Sequence, residues 1–180
     1  MTIFDTLPAC FALAGAVLLV IAAVRRRGDL TKVIRAHDLL PSFLVRLTPL
    51  AGPAEGLAGA AVLAGWLAGE ARLVRFAAAA VALWYLALAA YLAVLLRRRG
   101  RVPCGCLDET SPASPLKVGR AVLLAVATAP LVAGWPPVPA EMGARLLVCG
   151  LAAVVAGFLI VADKVADLQG TSAAHGRSSR

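Results

Sequence analysis

The chain has 180 residues, of which 61% are hydrophobic and 16% charged, with a formal net charge of +8. Soluble domains carry about 45–50% apolar and 25% charged residues, so this apolar mass exceeds what one small soluble core hides; intrinsic disorder is excluded, and four cysteines are too sparse for a disulfide-dense secreted scaffold. The positive charge does not point to nucleic acid, because the basic residues stand in short clusters between apolar runs without interleaved aromatics, as membrane topology signals do.

The first apolar run, Thr6 to Val24, contains no charge. At about 1.5 Å per residue it just crosses a hydrocarbon core of about 30 Å. A cleaved signal peptide carries basic residues in front and small residues behind. Here Asp5 stands in front and Arg25-Arg26-Arg27 behind, so the segment reads as a retained first helix. Gly28 to Arg46 is mixed, and Leu30, Val33, Ile34 and His37 recur at helical spacing. That pattern predicts a short interfacial helix, ended or bent at Pro41.

The second span is predicted over Leu47 to Gly69, interrupted by Glu55. Gly52, Gly56, Ala60 and Ala64 form a stripe of small residues, the kind that lets helices approach closely. Phe76 to Leu96 forms the third span, with Trp84, Tyr85 and Tyr91 read as interface anchors. Val118 to Trp135 forms the fourth, followed by the breaker Pro136-Pro137-Val138-Pro139, and Leu146 to Ala162 the fifth. The predicted fold is all-α: a polytopic transmembrane bundle of four to five helices with a short interfacial helix after the first span. Residues 1–162 form the bundle, and 163–180 a polar tail expected to be disordered.

Lys and Arg in the short loops set the expected orientation. The segment after span one holds Arg25, Arg26, Arg27, Lys32, Arg35 and Arg46; that after span three holds Arg97, Arg98, Arg99, Arg101 and Lys117. The intervening loops offer only Arg72 and Arg75, then Arg145. The expectation is a multi-pass plasma-membrane protein with its N-terminus outside and the loop over 97–117 on the cytoplasmic side.

Cys104-Gly105-Cys106 in that loop is the local sequence most suggestive of chemistry. Two cysteines one residue apart can approach disulfide geometry only in a small strained ring, for which Gly105 supplies backbone freedom. Strained, accessible disulfides are the labile or catalytic kind. Arg97, Arg98, Arg99 and Arg101 favour thiolate over thiol, while Asp108 and Glu109 oppose them. Two inert loop cysteines, and a soft-metal site completed by His37, are the competing readings; no second Cys or His pair lies nearby to favour metal. Cys10 and Cys149 fall inside spans toward the outer face, where cysteine is usually a small packing residue. An exchange between them and Cys104 would have to cross most of the bilayer core, which needs a quinone, a partner or an inward-folding loop. No cofactor is predicted, and nothing in the sequence supports a quinone. Glu55 either sits at headgroup level, if Pro49 to Pro53 delay the helix, or is an intramembrane carboxylate, neutral or paired with a base such as Arg120. His37 is a candidate proton carrier or a solvated interfacial residue.

Three elements carry a family resemblance. They are Lys32-Val33-Ile34-Arg35-Ala36-His37-Asp38-Leu39-Leu40-Pro41, then Pro53-Ala54-Glu55-Gly56, then Pro103-Cys104-Gly105-Cys106-Leu107 with Gly119-Arg120. In these the chain resembles the methylamine-utilisation MauE proteins, within the wider DoxX-like group of redox-associated membrane proteins, from about Leu7 to Val132. Where that family usually carries an aromatic after the second cysteine and an Asn after the arginine, this chain has Leu107 and Ala121. The resemblance implies a membrane protein supporting maturation or export of the methylamine dehydrogenase small subunit, whose disulfides form outside the cytoplasm, with a thioredoxin-like partner. The redox pair would be Cys104 and Cys106, with Gly105, Glu55, Arg101 and Arg120 in support. The charge pattern puts that pair on the cytoplasmic side and the implied client on the other, so reducing equivalents cross, or the loop dips inward, or the charge rule misassigns the orientation. The rival class is a non-catalytic scaffold or transport subunit working through Glu55 and the helix faces.

Overall fold

A computed structural model describes residues 3–25, 30–37, 39, 41–100, 102 and 113–178, with the side chains of 3–5, 30–33 and 167–178 left undescribed. Six helices follow in order: α1 (Ile3–Arg25), α2 (Leu30–His37), α3 (Ser42–Ala68), α4 (Ala71–Arg99), α5 (Pro115–Ala133) and α6 (Met142–Ser178). All but α2 contain a stretch long and apolar enough to cross a membrane, so the span count is five. There is no strand among the described residues.

The hub of the bundle is α1. More than half of its span is buried, against a third or less for each of the others, and α3, α5 and α6 all pack on it. Its composition explains this. Ala9, Ala12, Ala14, Gly15, Ala16 and Ala22 are buried, and small side chains let these three neighbours reach one axis. The other spans keep Leu57, Phe76, Leu83, Val154 and Phe158 at the surface, as helices facing lipid do.

The α1–α3 contact is antiparallel and tight. A side-chain carbon on Gly59 would lie 2.5 Å from the Ala16 carbonyl oxygen, and one on Gly56 would lie 2.9 Å from Ala23 Cβ. The close-packing face therefore keeps Gly56 of the predicted stripe and adds Gly59, while Ala60 and Ala64 are exposed. The buried positions Glu55, Gly59, Val62 and Trp66 recur at three- and four-residue steps and mark the true inner face.

Helix α3 also starts earlier than predicted, at Ser42, and runs through Pro49 and Pro53. Proline removes the N–H that would bond four residues back, so Pro49 leaves the Val45 carbonyl unserved by the helix ladder. Thr48 Oγ1 donates to that oxygen at 2.7 Å. A side-chain hydroxyl thus covers the gap and the helix continues.

At the far end, α3 and α5 stop in the same way. Gly69 and Gly134 take left-handed backbone angles, φ 79° and 83°. The amide of each bonds back to Trp66 and Leu131 respectively, and the following amides of Glu70 and Trp135 bond to Gly65 and Pro130. These are glycine-terminated Schellman ends, which side-chain-bearing residues adopt poorly.

Candidate functional site

The Arg-rich end of the bundle collects the motifs that the sequence singles out. His37, on α2, is only 7% exposed. Its Nδ1 lies 2.5 Å from the hydroxyl of Tyr91 on α4, either group donating according to the imidazole tautomer. His37 is therefore not a solvated interfacial residue. No cluster of three or more His, Cys, Asp or Glu able to hold a metal exists among the described residues, and the metal reading of His37 with Cys104 and Cys106 falls on cysteines outside them. Beside this pair is a compact apolar cluster of Leu92, Leu95 and Ala113, with Leu39, Tyr91 and Val102 packed on it.

That cluster also holds the base of the cysteine loop. Helix α4 ends at Gly100, whose amide bonds to Leu96, and α5 begins at the Ser114 cap, whose hydroxyl accepts from the Lys117 amide at 3.4 Å. Between them the Ala113 amide donates to the Val102 carbonyl at 2.8 Å. The two ends of the segment over 103–112 are thus tied together against α4. Cys104, Gly105, Cys106 and the neighbouring Arg101 lie outside the described residues.

Deeper in the bundle sits a polar centre to which five helices contribute. Tyr85 on α4 is 4% exposed and donates to the Gly15 carbonyl of α1 at 2.8 Å. Gly15 is where the tyrosine ring fits, since a Cβ there would stand 3.3 Å from the ring. Both Glu55 of α3 and Arg120 of α5 act electrostatically on Tyr85. Arg120 Nη1 forms an ion pair with Asp163 Oδ2 of α6. Glu55 is 4% exposed and stands mid-way along α3. This bears on the question its prolines raise: because α3 starts at Ser42, Glu55 stands in the middle of a helix long and apolar enough to cross a membrane, not at its entry. Intramembrane ionisable groups are costly and mark functional positions by default.

Two sequence expectations change here. Tyr85 is an internal hydrogen-bond donor rather than an interface anchor, and Tyr91 is the partner of His37. Asp163, set by the sequence at the head of a polar tail, is 8% exposed and belongs to the core; α6 continues as helix to Ser178. A carboxylate just past an apolar run, one residue after Ala162, looks like an end signal, and only the packing of α6 reveals its partner on α5.

The opposite end is quieter. Arg145 donates from Nε to Pro139, from Nη1 to Leu67 and from Nη2 to Ala140, all backbone carbonyls at 2.6–2.9 Å. It closes the last turn of α3, where unserved carbonyls and the helix dipole favour a cation. Arg75 lies against Gly134 at the end of α5. A cleft of about 170 Å³ opens between Gly69, Val74, Arg75, Leu131, Gly134 and Pro137, below the usual size of a small-molecule pocket. Also at this end, Cys10 of α1 faces α6, its Sγ 4.0 Å from the Val148 carbonyl oxygen.

The sequence profile of the family described as Methylamine utilisation protein MauE matches residues 4–135. The chain belongs to the MauE family. The match covers α1 to α5, hence the interfacial helix, Glu55, the cysteine loop and Arg120, and ends before α6. MauE membership and five apolar helices together make this a multi-pass membrane protein of methylamine utilisation. No curated protein and no solved structure matches the chain.

Proposed function

We propose that this MauE protein supports thiol–disulfide maturation, or export, of an extracytoplasmic disulfide-containing protein, through Cys104 and Cys106. The observation that carries the reading is the closed base of their loop: Val102 and Ala113 are bonded to each other and packed with the α2 segment beside the His37–Tyr91 pair. Joining the two ends of the segment keeps its attachment to the bundle at one place. Cys104 is the attacking sulfur, being nearer the arginines, and Cys106 resolves the mixed disulfide. The partner is a thioredoxin-like protein, and the methylamine dehydrogenase small subunit is the client class that the family name suggests. The excess of Arg at the loop end supports a cytoplasmic position for it at the plasma membrane, with the N-terminus outside.

The test is a strain carrying Cys104→Ser and Cys106→Ser. The mixed disulfide with the partner disappears and client disulfides fail to form. Fully formed client disulfides in that strain overturn the proposal. A membrane-impermeant thiol reagent applied to intact cells reports sidedness: Cys104 labels only after the membrane is opened if the loop is cytoplasmic.

A second reading is favoured by the buried Glu55 and its polar centre, namely a scaffold or transport subunit. It requires that Glu55→Gln abolish function while Cys104→Ser and Cys106→Ser leave it intact.

A further inference from the structure

The fold brings the two remaining cysteines of the chain to one interface. Cys10 lies at the start of α1 and Cys149 near the start of α6, 139 positions apart by their numbers, yet α1 and α6 pack on each other. Cys10 Sγ stands 4.0 Å from the oxygen of Val148, the residue bonded directly to Cys149. Cys149 packs on the same buried cluster that contains Cys10. Both are free. Their neighbours on this interface include Ala9 and Ala152, each fully buried.

The geometry points to Cys10 and Cys149 as a second thiol pair, which closes to an interhelical disulfide at the end of the bundle opposite the cysteine loop. Its co-reactant is an exchanging disulfide. The two cysteines differ in access, which sets the order of events: Cys149 is half-buried, whereas Cys10 is 7% exposed. Cys149 thiolate attacks one sulfur of the incoming disulfide, forming a mixed disulfide and expelling one thiolate. Cys10 thiolate then attacks Cys149 Sγ, forming the Cys10–Cys149 bond and expelling the second thiolate. Two electrons pass from the cysteine sulfurs to the incoming disulfide, and the two cysteine protons are released to the two leaving thiolates. Cys149 stands seven residues into α6, about 10 Å along the helix from its first residue. A co-reactant that is small or lipid-soluble therefore reaches it best. The inference goes beyond the redox role of Cys104 and Cys106 and does not depend on it. Cys149 also falls outside the stretch that the family profile matches, so this pair is a feature of the chain rather than of the profile.

The experiment uses the full chain with Cys104→Ser and Cys106→Ser, in which Cys10 and Cys149 are the only thiols left. The membranes are treated with 2,2′-dithiodipyridine, a lipid-soluble disulfide, and the intact chain is weighed by mass spectrometry. Closure of the pair gives a chain lighter by two hydrogens, with no pyridylthio group attached, and releases two pyridinethiones per chain. Adding Cys10→Ser leaves one stable pyridylthio adduct on Cys149. Two pyridylthio groups on the parent chain, or an unreacted chain, overturn the inference. Neither outcome bears on Cys104 and Cys106, whose own test is the state of the client's disulfides.

Discussion

The two ends of this bundle are built by opposite rules. Where α3 meets α4 and α5 meets α6, glycine caps turn the chain and arginines lie against the helix termini: Arg145 bridges three carbonyls, and Arg75 packs on Gly134. At the other end polar groups are buried rather than placed at turns: His37, Lys117 and Asp163 are all under a tenth exposed. The first arrangement fixes helix ends at little electrostatic cost, because the arginines keep water on one side. The second holds ionisable groups inside apolar surroundings, which is costly unless each has a partner. The contrast teaches that the quiet end is a clamp and the Arg-rich end is where the fold holds ionisable groups at a cost.

The largest expected effect lies at the costly end. Replacing Asp163 by Leu strands the Arg120 guanidinium, and breaking a buried pair from one side costs about 3–5 kcal/mol. The double variant Arg120→Met, Asp163→Leu removes both charges and is expected to cost less than either single change. Unfolding in bicelles, followed by steric trapping, measures all three. Additive losses would mean that the two groups do not act as a pair.

The clamp comes next. Arg145→Met removes three carbonyl contacts made by a charged donor and is expected to cost about 1.5–3 kcal/mol. Gly69→Ala, which forces a side chain into left-handed backbone angles, costs about 1–2 kcal/mol. Arg72, exposed in the first turn of α4, is the control: Arg72→Met should stay within about 0.5 kcal/mol. If Arg72 and Arg145 proved equivalent, the arginines at this end would be topological charges and nothing more.

The α1–α3 seam separates the predicted face from the observed one. Gly59→Leu pushes against the Ala16 carbonyl and is expected to cost about 1–3 kcal/mol, while Ala60→Leu, facing out, is nearly neutral. The reverse order, read by the same unfolding assay, would restore the Gly52, Gly56, Ala60, Ala64 stripe.

Hydropathy made the five spans legible, because three are uninterrupted apolar runs, the second and fourth are broken only by Glu55 and Arg120, and the bilayer imposes one length. The interfacial helix was legible from the spacing of Leu30, Val33, Ile34 and His37. The start of α3 was hidden, since Arg46, Pro49 and Pro53 all argue against helix, and the Thr48 hydroxyl that rescues the ladder carries no distinctive signal. The polar centre was half legible. Glu55 and Arg120 stood out one by one, but the Arg120 partner, 43 residues further along on α6, depends on which helices are neighbours in space. The same limit applies to Cys10 and Cys149: the sequence places both in the outer halves of their spans, and only the docking of α6 on α1 makes them adjacent.

The smallest effect gives the finest comparison, because it sets one tyrosine hydroxyl against another on the same helix. Tyr85 donates to a backbone carbonyl in the middle of the bundle, and Tyr91 holds His37 at the rim. Interhelical hydrogen bonds inside membrane proteins average about 0.6 kcal/mol and reach about 1.7. Tyr85→Phe should fall in that range, since the Gly15 carbonyl already serves the α1 ladder and loses only its second donor. Tyr91→Phe should change global stability less, because α2 is a short helix that touches the bundle mainly through α3. Its effect is local: amide exchange speeds up along α2 and leaves α4 unchanged, as expected of a segment that opens independently of the core. If exchange accelerated along α4 as well, the His37–Tyr91 contact would be part of the core, and the Arg-rich end would be as firmly clamped as the other.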